Sequence, residues 1–137
     1  MKRLLILICI LLCASSAWGF EISGSSVPSS SSMLTLLNAA TTTGAGSTVS
    51  GIGTYQNWAC QINVTGAPTA VTVALEGNLI GSIYNTMGSH AMSTAEISTT
   101  QANFVVIEMP ALQIRGNVTT LSGGTAPTVS LYCVGVR

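Results

Sequence analysis

The sequence predicts an all-β protein, a single antiparallel β-sandwich or jelly-roll-like domain. Three observations carry that prediction. Beyond residue 33, short runs alternate apolar and polar residues with the period of two that a half-buried strand requires. Clusters of Gly, Pro, Ser and Thr break these runs at short intervals. No later stretch keeps a helical apolar period over three turns; Met33–Ala40, the one mild candidate, is as easily a strand.

The elements follow in order. In Tyr55–Val64, Trp58, Cys60, Ile62 and Val64 fall on one face, and Asn57, Ala59, Gln61 and Asn63 on the other. Gly66-Ala67-Pro68 ends this strand. Val71, Val73 and Leu75 then alternate with Thr72, Ala74 and Glu76. Gly77-Asn78 reads as a turn into a strand over Leu79–Tyr84, and a looser region holds a strand around Ala91–Ile97. Phe104–Met109 is nearly all apolar and reads as a more deeply buried strand, interrupted by Pro110. Leu112, Ile114 and Val118 alternate with Gln113, Arg115, Asn117 and Thr119. The last strand places Val129, Leu131 and Cys133 inward and Thr128, Ser130 and Tyr132 outward. Short strands with turn signals between them suit two sheets sharing one core, with the Ser and Thr faces outward.

The first residues read as an address. Lys2 and Arg3 precede an apolar run from Leu4 to Ala14, and Ala17-Trp18-Gly19 supplies small residues for cleavage between Gly19 and Phe20. The run is shorter than the roughly 20 residues of a membrane-spanning helix. Cys13 follows Leu12 and not the small residue that a lipoprotein anchor wants. The expected organisation is a signal peptide at 1–19, a Ser-rich leader at 20–32 and one domain at 33–137, with no later span. A secreted, periplasmic or cell-surface location follows.

Cys9 and Cys13 leave with the signal, so Cys60 and Cys133 remain for an oxidising compartment. Both fall on inward faces, which favours a disulfide; two buried free thiols are the rival reading.

Charge is scarce. Beyond the signal, Glu21, Glu76, Glu96 and Glu108 stand against Arg115 and Arg137, and the chain has no aspartate. No basic patch is present for nucleic acid or anionic lipid. A surface of Ser, Thr, Asn and Gly is weakly protected against association, so protein partners or self-association are expected.

Candidate chemistry is thin. His90 is the only histidine, which with no aspartate leaves no ordinary metal set and no catalytic site or cofactor to expect. His90 and a glutamate could serve a serine nucleophile in principle, but no G-x-S-x-G elbow is present. Glu76 and Glu108 read as solvated strand-end carboxylates in preference to a glycosidase pair. Arg115 reads as a cross-strand partner for a glutamate, or as a contact for an anionic ligand. Tyr55, Tyr84 and Tyr132 are the rings that a surface glycan would use, with Arg115 beside them as a ligand contact. Asn63-Val64-Thr65 and Asn117-Val118-Thr119 match N-glycosylation acceptors, relevant only in a eukaryote.

The segments LLNAATTTGAGSTVS, NVTGAPTAVTVALEGNL and IRGNVTTLSGGTAPTVSLYCVGV resemble small β-sandwich proteins of tailed phages and prophages. The resemblance spans roughly residues 34–136. It implies non-enzymatic virion accessory modules: head decoration, head fibre or tail-associated proteins. The cysteine pair and the signal peptide set this chain apart from that family and fit the same fold in an exported setting. The expected function is therefore an exported, non-enzymatic structural or adhesive subunit of a surface or virion-like assembly. A carbohydrate-binding module and a phage head decoration or fibre protein are the alternatives.

Overall fold

The computed structural model describes residues 33–137. The expected signal peptide, its cleavage point at Gly19 and Phe20, and the Ser-rich leader lie outside the described residues. Two antiparallel sheets pack face to face. The first contains β1 (Met33–Ala40), β4 (Asn57–Thr65), β7 (Gln101–Val106) and β9 (Thr128–Val136), in the order β1-β9-β4-β7. The second contains β2 (Gly44–Ala45), β5 (Ala70–Asn78), β6 (Asn85–Ala91) and β8 (Gln113–Ser122), in the order β2-β8-β5-β6. A short β3 (Val49–Ser50) also pairs with β8.

The core is the one that the alternation requires. Trp58, Cys60, Ile62 and Val64 of β4 are buried, as are Val129, Leu131 and Cys133 of β9. They meet Val71, Val73 and Leu75 of β5 and Ile114 and Val118 of β8 from the other sheet. Gly116 sits between Ile114 and Val118 on the inward face. A Cβ there would lie 2.8 Å from Leu37 Cγ and 2.9 Å from Leu131 Cδ2. The glycine thus lets the opposing leucines reach β8, and a larger residue would push the sheets apart.

Cys60 and Cys133 form a disulfide. They are direct cross-strand partners in the β4–β9 ladder, with Cα atoms 4.1 Å apart. The bond therefore ties two neighbouring strands of one sheet.

Several elements differ from the sequence reading, each for a physical reason. Glu76 is not a solvated strand-end carboxylate: β5 runs on through Asn78, and Glu76 is only 8% exposed. At that point β5 is covered on its outer face by side chains of β8. Residues 79–84 form a loop and not a strand. Asn78 Nδ2 donates to the Gly81 carbonyl at 3.0 Å, and Gly81 has φ +80°, so the chain turns back at once. Phe104–Met109 is not deeply buried. β7 is the edge of its sheet, Val105 points to solvent, and β7 ends at Val106.

The expected strand around Ala91–Ile97 is split. Its start closes β6, and residues 94–99 form a six-residue helix, α1 (Thr94–Thr99). A capping box starts it: the Glu96 N–H donates to Ser93 Oγ, and the Ser93 N–H donates to Glu96 Oε2 at 2.7 Å. The Ser93 backbone N–H, then its hydroxyl, hold the Glu96 carboxyl below the ordinary 4.5, with His90 adding to the effect. The cap is therefore intact above the unfolded value and is lost as pH falls through the lower, folded one. In an NMR titration the Ser93 amide proton is expected to move with a midpoint below 4.5. A midpoint at or above that value would contradict the cap.

Candidate functional site

Two surfaces stand out, one polar and one apolar. The polar one is on the outer face of the second sheet. Glu76 and Arg115 are direct register partners on β5 and β8, and both point away from the core. Arg115 Nε donates to Glu76 Oε2 at 2.7 Å, and Asn117 Nδ2 donates to Glu76 Oε1 at 2.7 Å. Both carboxylate oxygens are thus engaged. The Arg115 guanidinium lies over the Tyr84 ring, 4.0 Å from its centroid. The Tyr84 hydroxyl donates to Gln113 Oε1 at 2.9 Å, so Thr48 is the donor in its 3.0 Å bond with Tyr84. Asn78 Nδ2 also donates to Gln113 Oε1 at 3.0 Å. The network pins the 79–84 loop to β8.

The candidate ligand contacts separate accordingly. Arg115 and Tyr84 meet, but each occupies the other. Tyr55 packs edge-on against Trp58 with centroids 5.7 Å apart, and Arg137 stands 5.9 Å from its centroid. Tyr132 is on the outer face of the first sheet, opposite Thr35 and Gln61. The three rings form no shared platform of the kind on which a sugar would stack.

His90, Glu96 and Ser93 do come together, though in the wrong order for a relay. His90 Nε2 is 3.0 Å from Glu96 Oε1, and Ser93 Oγ donates to Glu96 Oε2 at 2.9 Å. The carboxylate stands between the hydroxyl and the imidazole. A nucleophile needs the base beside the hydroxyl. His90 instead stacks parallel to Phe104, with ring centroids 6.2 Å apart. Glu108 lies in the loop after β7, and its N–H donates to Asn57 Oδ1 at 3.1 Å.

The apolar surface was not foreseen. Strand register brings Met33, Val136, Asn57 and Val106 to one end of the first sheet. The loops 79–84 and 107–112 close the same end of the sandwich, where the Leu112 N–H bonds the Asn78 carbonyl and the Met109 N–H bonds the Gln56 carbonyl. Leu79, Ile80, Ile83, Ile107, Met109 and Leu112 all project there into solvent; Ile80 is 90% exposed and Ile83 76%. An open groove of about 610 Å³ runs between the first loop and Met109-Pro110. The opposite end has the Gly66, Gly123 and Gly124 turns and α1, and none of the exposed large apolar side chains of the described residues. A signal for the apolar end was present: Leu79, Ile80 and Ile83 sit among Asn78, Gly81 and Ser82, which are turn residues.

No protein-family model matches this chain, and no curated protein does. Among solved structures it is similar to the SPBc2 prophage-derived protein YomS, with a TM-score of 0.53 and 11% identity. The match covers 78% of this chain and 93% of that one. At that identity the likeness shows the fold, an all-β sandwich.

Proposed function

We propose that this chain is a non-enzymatic structural or adhesive subunit of an exported surface assembly or a virion-like one. The observation that carries the reading is the apolar end. Exposed apolar side chains gathered in one patch mark an interaction surface, whereas single exposed ones mean nothing. Burying one such side chain in a contact is worth about 1.5–3 kcal/mol. The 79–84 loop is held by the Tyr84 and Asn78 bonds to β8, and the 107–112 loop by the Met109 and Leu112 N–H bonds to Gln56 and Asn78, so the surface is set before a partner arrives.

Other features support the same reading. The few charges of the described residues are paired or peripheral, as suits a subunit surrounded by neighbours. The disulfide suits an oxidising compartment. Among the described residues no helix is long and apolar enough to cross a membrane. The fold shared with a prophage-derived protein supports the virion-like form of the assembly.

Fractionation of producing cells tests this. The wild-type chain is expected to travel with a surface or particle fraction. The double substitution Ile80→Lys with Ile83→Lys is expected to move about tenfold more of it into the free fraction, because two charges would enter the contact. Its thermal unfolding should be unchanged, since both side chains are exposed. A wild-type chain found only in the free fraction would contradict the proposal.

A further inference from the structure

We infer that the outer face of the first sheet is an interface between two copies of this chain. The inference rests on the assembly-subunit reading and names one of the partners. Its basis is separate from the apolar end: the composition and relief of the four-stranded face.

None of the residues that β1, β9, β4 and β7 turn outward carries a charge. The charged side chains of the described residues lie elsewhere. Glu76 and Arg115 are on the other sheet, Glu96 is on α1, Glu108 is in a loop, and Arg137 follows β9. Register lines Met33, Val134, Ala59 and Val105 into one apolar row across all four strands. The adjacent row is Thr35, Tyr132, Gln61 and Asn103. Met33 and Val105 at the row's ends are 67% and 68% exposed. The small Ala59 between them leaves a groove of about 340 Å³.

These features select a second copy over other occupants. Across a two-fold axis each residue near the axis faces its own equivalent, so any charge there would repel itself; this face has none. The amide row rules against a lipid surface. Gln61 Nε2 already donates to Asn63 Oδ1 at 2.9 Å, but the Gln61 carbonyl oxygen and the Asn103 amide would lose their water partners in hydrocarbon, whereas a second copy's amides can replace them. A different protein would ordinarily be steered by complementary charge, which this face lacks.

The size suits a weak contact. Strands of eight, nine, nine and six residues, at about 3.3 Å per residue and about 4.8 Å apart, give roughly 500 Å² per copy. Two such faces cover about 1,000 Å², the least that a specific interface needs. The sheets would stack about 10 Å apart, as the two sheets of a sandwich do.

The test is sedimentation equilibrium of the exported chain from micromolar to millimolar concentration. A monomer–dimer equilibrium is expected. Val105→Lys and, separately, Asn103→Lys should each weaken it at least about tenfold, because an unpaired charge would be buried in an uncharged contact. Both sites are exposed, so thermal unfolding should hold. Ala91→Lys, on the edge strand of the other sheet, should leave the dimer intact. A chain monomeric at millimolar concentration overturns the inference. So does a dimer that tolerates both substitutions, or one broken only by Ile80→Lys. In any of these cases, wild-type chain in the surface or particle fraction would leave the assembly reading standing. Absence from that fraction would remove both.

Discussion

Replacing both Cys60 and Cys133 with alanine is expected to lower the unfolding free energy of the domain by about 4 kcal/mol. The cysteines are separated by 73 residues in sequence, so their bond closes a long loop and removes much of the unfolded chain's freedom. The folded state would change little, because Cys60 and Cys133 face each other within a continuous antiparallel ladder from Asn57–Val136 to Thr65–Thr128. Alanine is the right replacement: both positions are buried, and a serine hydroxyl would need a partner there. Urea unfolding of the oxidised wild type against the double variant measures the difference. The same loss should follow when a strong reductant is added to the wild type. Identical midpoints for oxidised and reduced protein would show that the bond contributes nothing.

The second large effect concerns the polar network. Arg115→Ala is expected to cost about 2–3 kcal/mol, between the small worth of a surface ion pair and the 3–5 kcal/mol of a fully buried one. The guanidinium is partly exposed but the Glu76 carboxylate is nearly covered, and it would keep only the Asn117 donor. Substituting both partners, as Arg115→Met with Glu76→Gln, should cost clearly less than Arg115→Ala alone, since no uncompensated charge is left behind. The same arginine covers Tyr84 at the base of the 79–84 loop. Hydrogen exchange in that loop is therefore expected to quicken in Arg115→Ala, which links the network to the presentation of Ile80 and Ile83. A double-mutant cycle in urea with exchange measured in parallel tests both parts. Equal costs for single and double variants would contradict the pairing.

How much was legible in the sequence depends on what lay above each residue. Where a strand is buried on one face only, burial writes a period of two into the chain. Trp58, Cys60, Ile62 and Val64 were therefore assigned correctly to the core, as were Val129, Leu131 and Cys133. The pattern says nothing about which strands are neighbours. It made both cysteines inward, but their shared sheet follows from the last strand inserting between β1 and β4. It is equally silent about a covered outer face: Glu76 alternates outward as expected, and only the structure shows Arg115 and Asn117 over it.

Apolar runs misled in the opposite direction. Leu79–Tyr84 reads as a strand, and Phe104–Met109 as a more deeply buried one, because apolar residues are ordinarily buried. Here the first lies at the end of the sandwich and the second runs along its edge into a loop, so that Leu79, Ile80, Ile83, Val105, Ile107 and Met109 stay exposed while Val106 enters the core. That failure is informative: an apolar run left uncovered by its own fold is what a contact surface requires. The helix escaped for a simpler reason. Six residues are too few to show an apolar period, although Ser93 and Glu96 have the spacing of a capping box.

The central claim is that this chain works as a component of a larger exported structure and not as a free catalyst or carrier. The most direct measurement is the size and composition of the native particle that contains it, isolated from producing cells without denaturant. The expected result is a multi-copy assembly whose chains begin at Phe20 and carry the Cys60–Cys133 bond. A free, monomeric chain in the native fractions, present at any abundance without a larger partner, would contradict it.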